Sequence, residues 1–316
     1  MNPISASASR NILITGGAGF IGSHIVESAV SKYNKVIVLD NLSTGKIENI
    51  SRETLAKIEF IKGDITDLNT CIKATRQIDL ICHQAALASV TKSLDSPLEN
   101  HHINITGFLN ILVSARKNGV KRIVYASSSS VYGNDDLDSK VENQTGELLS
   151  PYALSKSVDE IYAKCFTDCY NLECIGLRYF NIFGSRQDPN GEYAAVIPKF
   201  IDLMLNGKQP HIYGDGTNTR DFTHISNVVH ANLLALETNN KNCFGQVYNV
   251  GCGQAVSLNT LVKILNRQLK LNILPIYKSN RIGDISHSKA DLTKIESELG
   301  YKPITDFEKG LAIYLN

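Results

Sequence analysis

Several things are scarce in this chain of 316 residues, and each scarcity removes a class of function. Lysine and arginine number 32 against 31 aspartate and glutamate, a net charge of +1. No global field therefore draws in nucleic acid or an anionic membrane, and neither is expected as a partner. Any phosphate site has to be built locally, from a few arginines and backbone amides. Cysteines number seven, an odd count, and no CxxC occurs. That argues for reduced thiols in a cytoplasmic protein rather than a disulfide framework. No apolar run approaches the roughly 20 residues of a membrane span. The polar start, residues 1–10, has no apolar core of signal-peptide length. There is no internal repeat and no long low-complexity segment. HExxH and Cys/His clusters are missing, and the adjacent His101 and His102 diverge on a helix, so no metal site is expected. Asp135, Asp136 and Asp138 form an acidic loop that reads as a solvated turn.

What is present is ordinary globular material, 43% hydrophobic and 20% charged. A chain of this length buries roughly 75% of its unfolded surface and has room for two lobes. Short apolar, partly β-branched runs at 11–15, 35–40, 58–62, 79–83, 122–126 and 173–179 alternate with helix-length segments. The clearest helix, 99–117, stops at Asn118-Gly119. Such alternation predicts an α/β fold, a doubly wound parallel sheet with helices on both faces. After about Arg178, turn signals multiply: Asp188-Pro189-Asn190-Gly191, Asn206-Gly207, Gly214-Asp215-Gly216. The expected division is a cofactor domain at 1–178 and a smaller mixed α/β substrate lobe at 179–316, with some segments of the latter returning to the first domain. The site should lie between them, beyond the carboxyl ends of the strands. Cys165 and Cys169, in a stripe with Ile161 and Phe166, read as core packing, and the stripe also suits a helix-bundle interface.

Two constellations carry chemistry. Gly16-Gly17-Ala18-Gly19-Phe20-Ile21-Gly22 follows the apolar Ile12-Leu13-Ile14-Thr15 and opens a helix. Its glycines allow a tight turn, close approach of a pyrophosphate to backbone, and close helix–strand packing. Asp40 ends the second strand, where its carboxylate accepts bonds from ribose hydroxyls and repels a 2′-phosphate. No arginine follows it in Asn41-Leu42-Ser43-Thr44-Gly45, so NAD is expected rather than NADP. Far downstream, Tyr152 and Lys156 stand four apart behind Pro151, on one helix face. A phenol has an ordinary pKa near 10. A neighbouring ammonium favours the phenolate and equips Tyr152 for proton transfer.

These constellations, with Ser128 between them, resemble the extended short-chain dehydrogenase/reductase family. The resemblance implies a Rossmann fold, NAD as cofactor, and sugar nucleotides as substrates. It implies that Ser128, in Ser127-Ser128-Ser129-Ser130-Val131-Tyr132-Gly133, supplies a catalytic hydroxyl beside Tyr152 and Lys156. Dehydratases of the family carry an Asp-Glu pair just after this position. Here Ser129 and Ser130 stand instead, so the acid–base pair for eliminating water is missing. By the same pattern the cofactor contacts are Gly16, Gly19, Phe20, Ile21, Gly22, Asp40, Asn41, Ser43, Thr44, Gly45, Asp64, Ile65, Gln84, Ala85, Ala86, Tyr152, Lys156 and Tyr179.

Within the family, Leu177-Arg178-Tyr179-Phe180-Asn181, Ala194-Ala195-Val196-Ile197-Pro198-Lys199, Gly214-Asp215-Gly216-x-x-x-Arg220-Asp221-Phe222 and Arg281-x-Gly-Asp284 resemble UDP-hexose 4-epimerases. The subgroup resembled most is the bacterial and archaeal UDP-N-acetylglucosamine 4-epimerases. The likeness runs from about residue 11 to the C-terminus. It implies substrate contacts at Ser89, Ser128, Ser129, Ser130, Tyr152, Asn181, Ala195, Val196, Lys199, Tyr213, Arg220, Arg281, Asp284 and Ser288, and a homodimer. Arg220 and Arg281 suit the two phosphates of UDP. Ser288 takes the position that faces the carbon 2 substituent of the sugar, where a small side chain leaves room for N-acetyl. Two other readings stay open: a UDP-glucuronate 4-epimerase or decarboxylase of the same fold, and a non-catalytic NAD-sensing module. The intact Tyr152, Lys156 and Ser128 weigh against the second.

Overall fold

The computed structural model describes residues 10–135, 137–188, 195–279 and 287–315. Six strands appear where the apolar runs predict them: β1 (Asn11–Thr15), β2 (Lys35–Asp40), β3 (Glu59–Lys62), β4 (Leu80–His83), β5 (Arg122–Ser128) and β6 (Glu173–Tyr179). β5 runs two residues further than expected and carries Ser128 at its end. All pair in parallel, and the sheet order is β6-β5-β4-β1-β2-β3 with a seventh strand, Gln246–Val250, outside β6. The order reverses between β1 and β4. Helices leave those two strands toward opposite faces, which opens a crevice at their carboxyl ends.

Strands buried on both faces need apolar side chains at every position. In β1, Ile12 and Ile14 join the core under α1 (Phe20–Ala29) and the helix Ile225–Glu237, whereas Leu13 joins the core on the opposite face with Phe108, Ile111 and Phe166. The second half of the chain is shared between two places. Gln246–Val250 and Ile225–Glu237 build onto the parallel sheet. Phe183, Phe200, Met204, Phe222, Leu261 and Phe307 form a separate core in the smaller lobe.

The helix expected at 99–117 is a compound one: Pro97–Asn100, a π-type stretch His101–Thr106, then Gly107–Asn118, ended by Gly119 at φ 70°. The widened stretch carries Asn104, buried, whose amide accepts from the Leu87 N–H at 2.8 Å and donates to the Leu87 carbonyl at 3.2 Å. A π-type widening inside a helix often marks a functional site. The long helix Pro151–Tyr170 begins at Ser150, whose hydroxyl accepts from Ala153 N–H, and ends at Asn171 in the left-handed region. Ala153, Lys156, Asp159, Ala163 and Phe166 are its buried face. Ile161, Cys165 and Cys169 lie on the opposite side and are exposed, their sulfurs 3.9 Å apart. The expected core role of the two cysteines is therefore corrected: at 3.6 residues per turn, positions 161, 165 and 169 are carried away from the sheet while 166 faces it. Among the described residues no helix is long and apolar enough to cross a membrane, and no group of three or more metal-ligating side chains is present.

Candidate active site

A cleft of about 780 Å³ lies at the carboxyl ends of β1 to β4. Gly16, Gly19, Phe20, Ile21, Gly22, Asp40, Asn41, Ser43, Thr44, Gly45, Asp64, Ile65, Gln84, Ala85 and Ala86 all line it. Gly16 turns the chain at φ 67°. A Cβ on Gly22 would sit 2.1 Å from the Gly16 carbonyl oxygen, so only hydrogen fits where α1 meets the turn. Gly19 caps α1 with no side-chain hydrogen bond, which leaves first-turn amides to a ligand, and a helix N-terminus favours phosphate. The Asp40 carboxylate is oriented by Ala18 N–H at 2.9 Å and Leu42 N–H at 2.8 Å, one on each oxygen. Each oxygen keeps a lone pair for a ribose hydroxyl. Asp64 accepts from Asn41 and from Thr66; burial pushes its carboxyl up, but those bonds outweigh it and hold it below the usual range. The cradle and the acceptors fit NAD.

Three residues expected at the cofactor stand apart from this lining. Tyr179 is buried beneath the cleft. Its hydroxyl donates to Gln84 at 3.2 Å and accepts from Asn232 at 2.8 Å, so its side chain props a lining residue instead of joining the wall. Tyr152 and Lys156 sit on the long helix, which packs against β5 and the turn Ser129–Tyr132. The Tyr152 N–H donates to Ser93 Oγ at 3.1 Å, and Ser155 is held by Asn104. Lys156 is buried, with its ammonium 3.2 Å from Asp159 Oδ2. Ser128 Oγ accepts from Ser130 N–H at 3.1 Å and shares a hydrogen bond with the Ser130 hydroxyl. On β4, His83 bonds Thr15 Oγ1 at 2.7 Å; burial, with the Lys156 charge adding to it, pushes the imidazole down to about 3 and keeps it neutral.

A second pocket of about 550 Å³ collects Asn181, Ala195, Val196, Lys199, Tyr213 and Arg220. Asn181 holds φ 30° and donates to the Asp221 carbonyl at 3.3 Å. Ser288 pairs in parallel register with Arg220 and is 7% exposed, so it stands beside a pocket residue. Ser89 caps the helix Val90–Asp95, whose first residues, Val90 and Thr91, reach the pocket. Arg281 and Asp284 lie outside the described residues. Asp221 pins this region. One carboxylate oxygen accepts from Cys252 N–H at 2.8 Å, the other from Gly253 N–H at 2.9 Å and Ala290 N–H at 3.1 Å. Burial still pushes its carboxyl up to about 6. In Asp221→Asn, whichever way the amide turns, its NH₂ meets at least one of those N–H donors. A buried unpaired donor costs about 1–3 kcal/mol. The denaturation midpoint should fall accordingly in urea; an unchanged midpoint would remove Asp221 from this role.

Sequence reasoning missed several residues here. Val90 and Thr91 carry no motif, and only the path of their helix brings them to the pocket. Lys46, Lys92, Glu99, Arg186 and Asp188 line the cofactor cleft, with Lys46 3.3 Å from Asp188 and Lys92 3.0 Å from Glu99. Asn104 had no usable signal, since its helix carries many other polar residues, among them Asn100, His101, His102 and Asn110.

Residues 12–251 match the family described as NAD dependent epimerase/dehydratase. A UDP-glucose 4-epimerase of Mycolicibacterium smegmatis is 35% identical over 303 residues, covering 95% of this chain and 96% of the relative. Among solved structures, a UDP-N-acetylglucosamine 4-epimerase from Methanobrevibacter ruminantium M1, in complex with UDP-N-acetylmuramic acid, superposes with a TM-score of 0.92 at 40% identity, covering 97% of each chain. A Thermus thermophilus UDP-glucose 4-epimerase in complex with NAD gives 0.86 at 32% identity, covering 96% of this chain and 97% of that one.

Proposed function

The chain belongs to the NAD-dependent epimerase/dehydratase family, and from that premise we propose that it is a UDP-hexose 4-epimerase, acting on UDP-N-acetylglucosamine and UDP-N-acetylgalactosamine and also on UDP-glucose and UDP-galactose. One observation carries the reading: the same two stretches of chain, 88–92 and 181–188, contribute residues to both cavities. Ala88 and Lys92 line the cofactor cleft while Val90 and Thr91 line the second pocket. Arg186 to Asp188 line the first while Asn181 to Phe183 line the second. A sugar nucleotide in one can thus present its hexose to a dinucleotide in the other.

NAD, held by the glycine turn and Asp40, would supply reversible hydride acceptance at carbon 4 of the sugar. The chain's own residues do the rest. Tyr152 takes the proton from the carbon 4 hydroxyl and gives it back, while Ser128 bonds that hydroxyl. Lys156 lowers the cost of the phenolate by its charge and offers donors to the nicotinamide ribose. Lys199 and Arg220 meet the diphosphate, and Tyr213 stacks on uracil. A 4-keto sugar that turned over in the pocket would present the other face of carbon 4, so the overall change would be an inversion with no net redox change. In this reading residues 1–178 hold the cofactor and 179–316 the sugar nucleotide, except the segments that rejoin the sheet. The exposed Ile161, Cys165 and Cys169 are covered by a second copy in a homodimer.

The function is tested by incubating purified protein, without added NAD, with UDP-N-acetylglucosamine, UDP-glucose and UDP-glucuronate and identifying products by NMR. Epimerisation of the first two supports the reading; turnover of UDP-glucuronate alone overturns it. Substrate range rests on Ser288. Replacing it by Tyr puts a ring where the acetyl group should lie. Overfilling a packed site costs about 1–3 kcal/mol, roughly 5- to 150-fold. The ratio of kcat/KM for UDP-N-acetylglucosamine over UDP-glucose should fall by that factor in Ser288→Tyr. An unchanged ratio would take Ser288 out of the acetyl pocket.

A further inference from the structure

Lys156 is buried together with an acid that the reaction as described does not use. Its ammonium lies 3.2 Å from Asp159 Oδ2, one turn further along the helix, and the two side chains are 3% and 1% exposed. The other carboxylate oxygen, Oδ1, is buried with no hydrogen-bond partner among the described residues. A buried ammonium needs a counter-charge, and a buried carboxylate needs its lone pairs filled. Asp159 supplies the first and lacks the second. Its charge is therefore held in place by Lys156 and is poorly supported otherwise.

We propose that Asp159 is a positioning residue for proton transfer: its ionised carboxylate fixes the Lys156 ammonium beside Tyr152, and protonation of that carboxylate sets the lower pH limit of activity. The proposal rests on the reading of Tyr152 and Lys156 as the proton-transfer pair.

The groups around the pair leave this acid as the one that titrates. Glu160, its neighbour, is taken by Arg178 of β6 at 2.7 and 2.9 Å and accepts from Ser127 of β5. Tyr125 faces the two acids from β5, and burial, together with Glu160 and Asp159, pushes its phenol far up, so it stays neutral. His83 faces Lys156 from β4 and is neutral as well. Two ion pairs thus balance, Lys156 with Asp159 and Arg178 with Glu160. Burial pushes the Asp159 carboxyl up to about 7, against the pull of Lys156. Above that pH it is ionised and the patch is neutral. Below it, the carboxyl takes a proton, the patch carries one uncompensated positive charge, and the ammonium loses the partner that orients it. For a single group titrating near 7, the ionised fraction drops about tenfold between pH 8 and pH 6.

The experiment is a pH series of kcat and KM on the protein with its retained cofactor, as wild type, Asp159→Asn and Asp159→Glu. In the wild type kcat should fall about tenfold from pH 8 to pH 6. Asp159→Asn imitates the protonated acid. Its kcat should be flat from pH 8 to pH 6 and no higher than the wild-type value at pH 6, so at least about tenfold below the wild type at pH 8, with KM and NAD content unchanged. Asp159→Glu should keep the acid limb at a displaced pH. If Asp159→Asn keeps the wild-type limb, or full activity at pH 8, the proposal is wrong. Should the Asp159 variants not fold, carboxyl ¹³C NMR of aspartate-labelled wild type decides, with Asp221→Asn identifying the other raised aspartate: a second aspartate titrating near pH 7 supports the proposal, and none above pH 6 besides Asp221 overturns it. A wild type that turns over no UDP-sugar would sink the functional reading, while the NMR titration would still decide whether Asp159 titrates as stated.

Discussion

Tyr152→Phe should lower kcat for UDP-sugar epimerisation by about 10²–10⁴-fold, the usual cost of losing a positioned acid–base group. The substitution keeps the ring and removes only the oxygen. What holds the position is indifferent to that oxygen: the Tyr152 N–H bond to Ser93, the Ser150 cap and Pro151 at the first turn are all backbone or neighbouring contacts. The Lys156–Asp159 pair is likewise untouched. KM and NAD content should therefore stay near the wild-type values, and the loss should be confined to kcat. NMR time courses of the purified variant with UDP-N-acetylglucosamine check this. Activity within about threefold of the wild type would be far short of the cost of a lost general base and would remove Tyr152 from the mechanism.

Gly22→Ala should abolish retention of NAD. The added Cβ would lie 2.1 Å from the Gly16 carbonyl oxygen and 2.8 Å from Gly17 Cα, both backbone atoms with no rotamer to escape into. Gly16 is itself boxed in, since a Cβ there would lie 2.6 Å from Ala85 N. The turn and α1 must then separate, and the phosphate cradle at the helix N-terminus opens. The NAD released on denaturing the purified protein, counted by mass spectrometry, should drop to a small fraction of one per chain. A variant that purifies with full NAD would show that the turn tolerates a methyl group and that the glycine serves some other purpose.

The sheet was legible because its signal is local. A strand of a parallel sheet is buried on both faces, so runs such as Ile12-Leu13-Ile14 announce themselves. The glycine turn carries its stereochemistry in its own residues, and so does the Ser150-Pro151 helix start. Gln246–Val250 was not legible. It lies among turns and contains Gln246 and Asn249, and it becomes a strand by pairing with β6. Asn249 is satisfied there by Tyr132 and by the Lys140 and Asp291 carbonyls, partners far away in the chain.

The site divides along the same line. Sequence by itself determined the α/β class, the glycine turn, the acid Asp40 at the second strand end, and the placing of Tyr152 and Lys156 one turn apart on a single helix, because each depends on residues within a few positions of one another. Only the tertiary structure decided that Cys165 and Cys169 face outward, that Tyr179 supports Gln84 from below, that Val90 and Thr91 wall the second pocket, and that Ser288 stands beside Arg220. It also decided that Asp159 is buried against Lys156. A helical period shows which residues share a face, but which face turns to the core depends on what packs against it. The charge state of a buried acid follows from that burial, which no local pattern encodes.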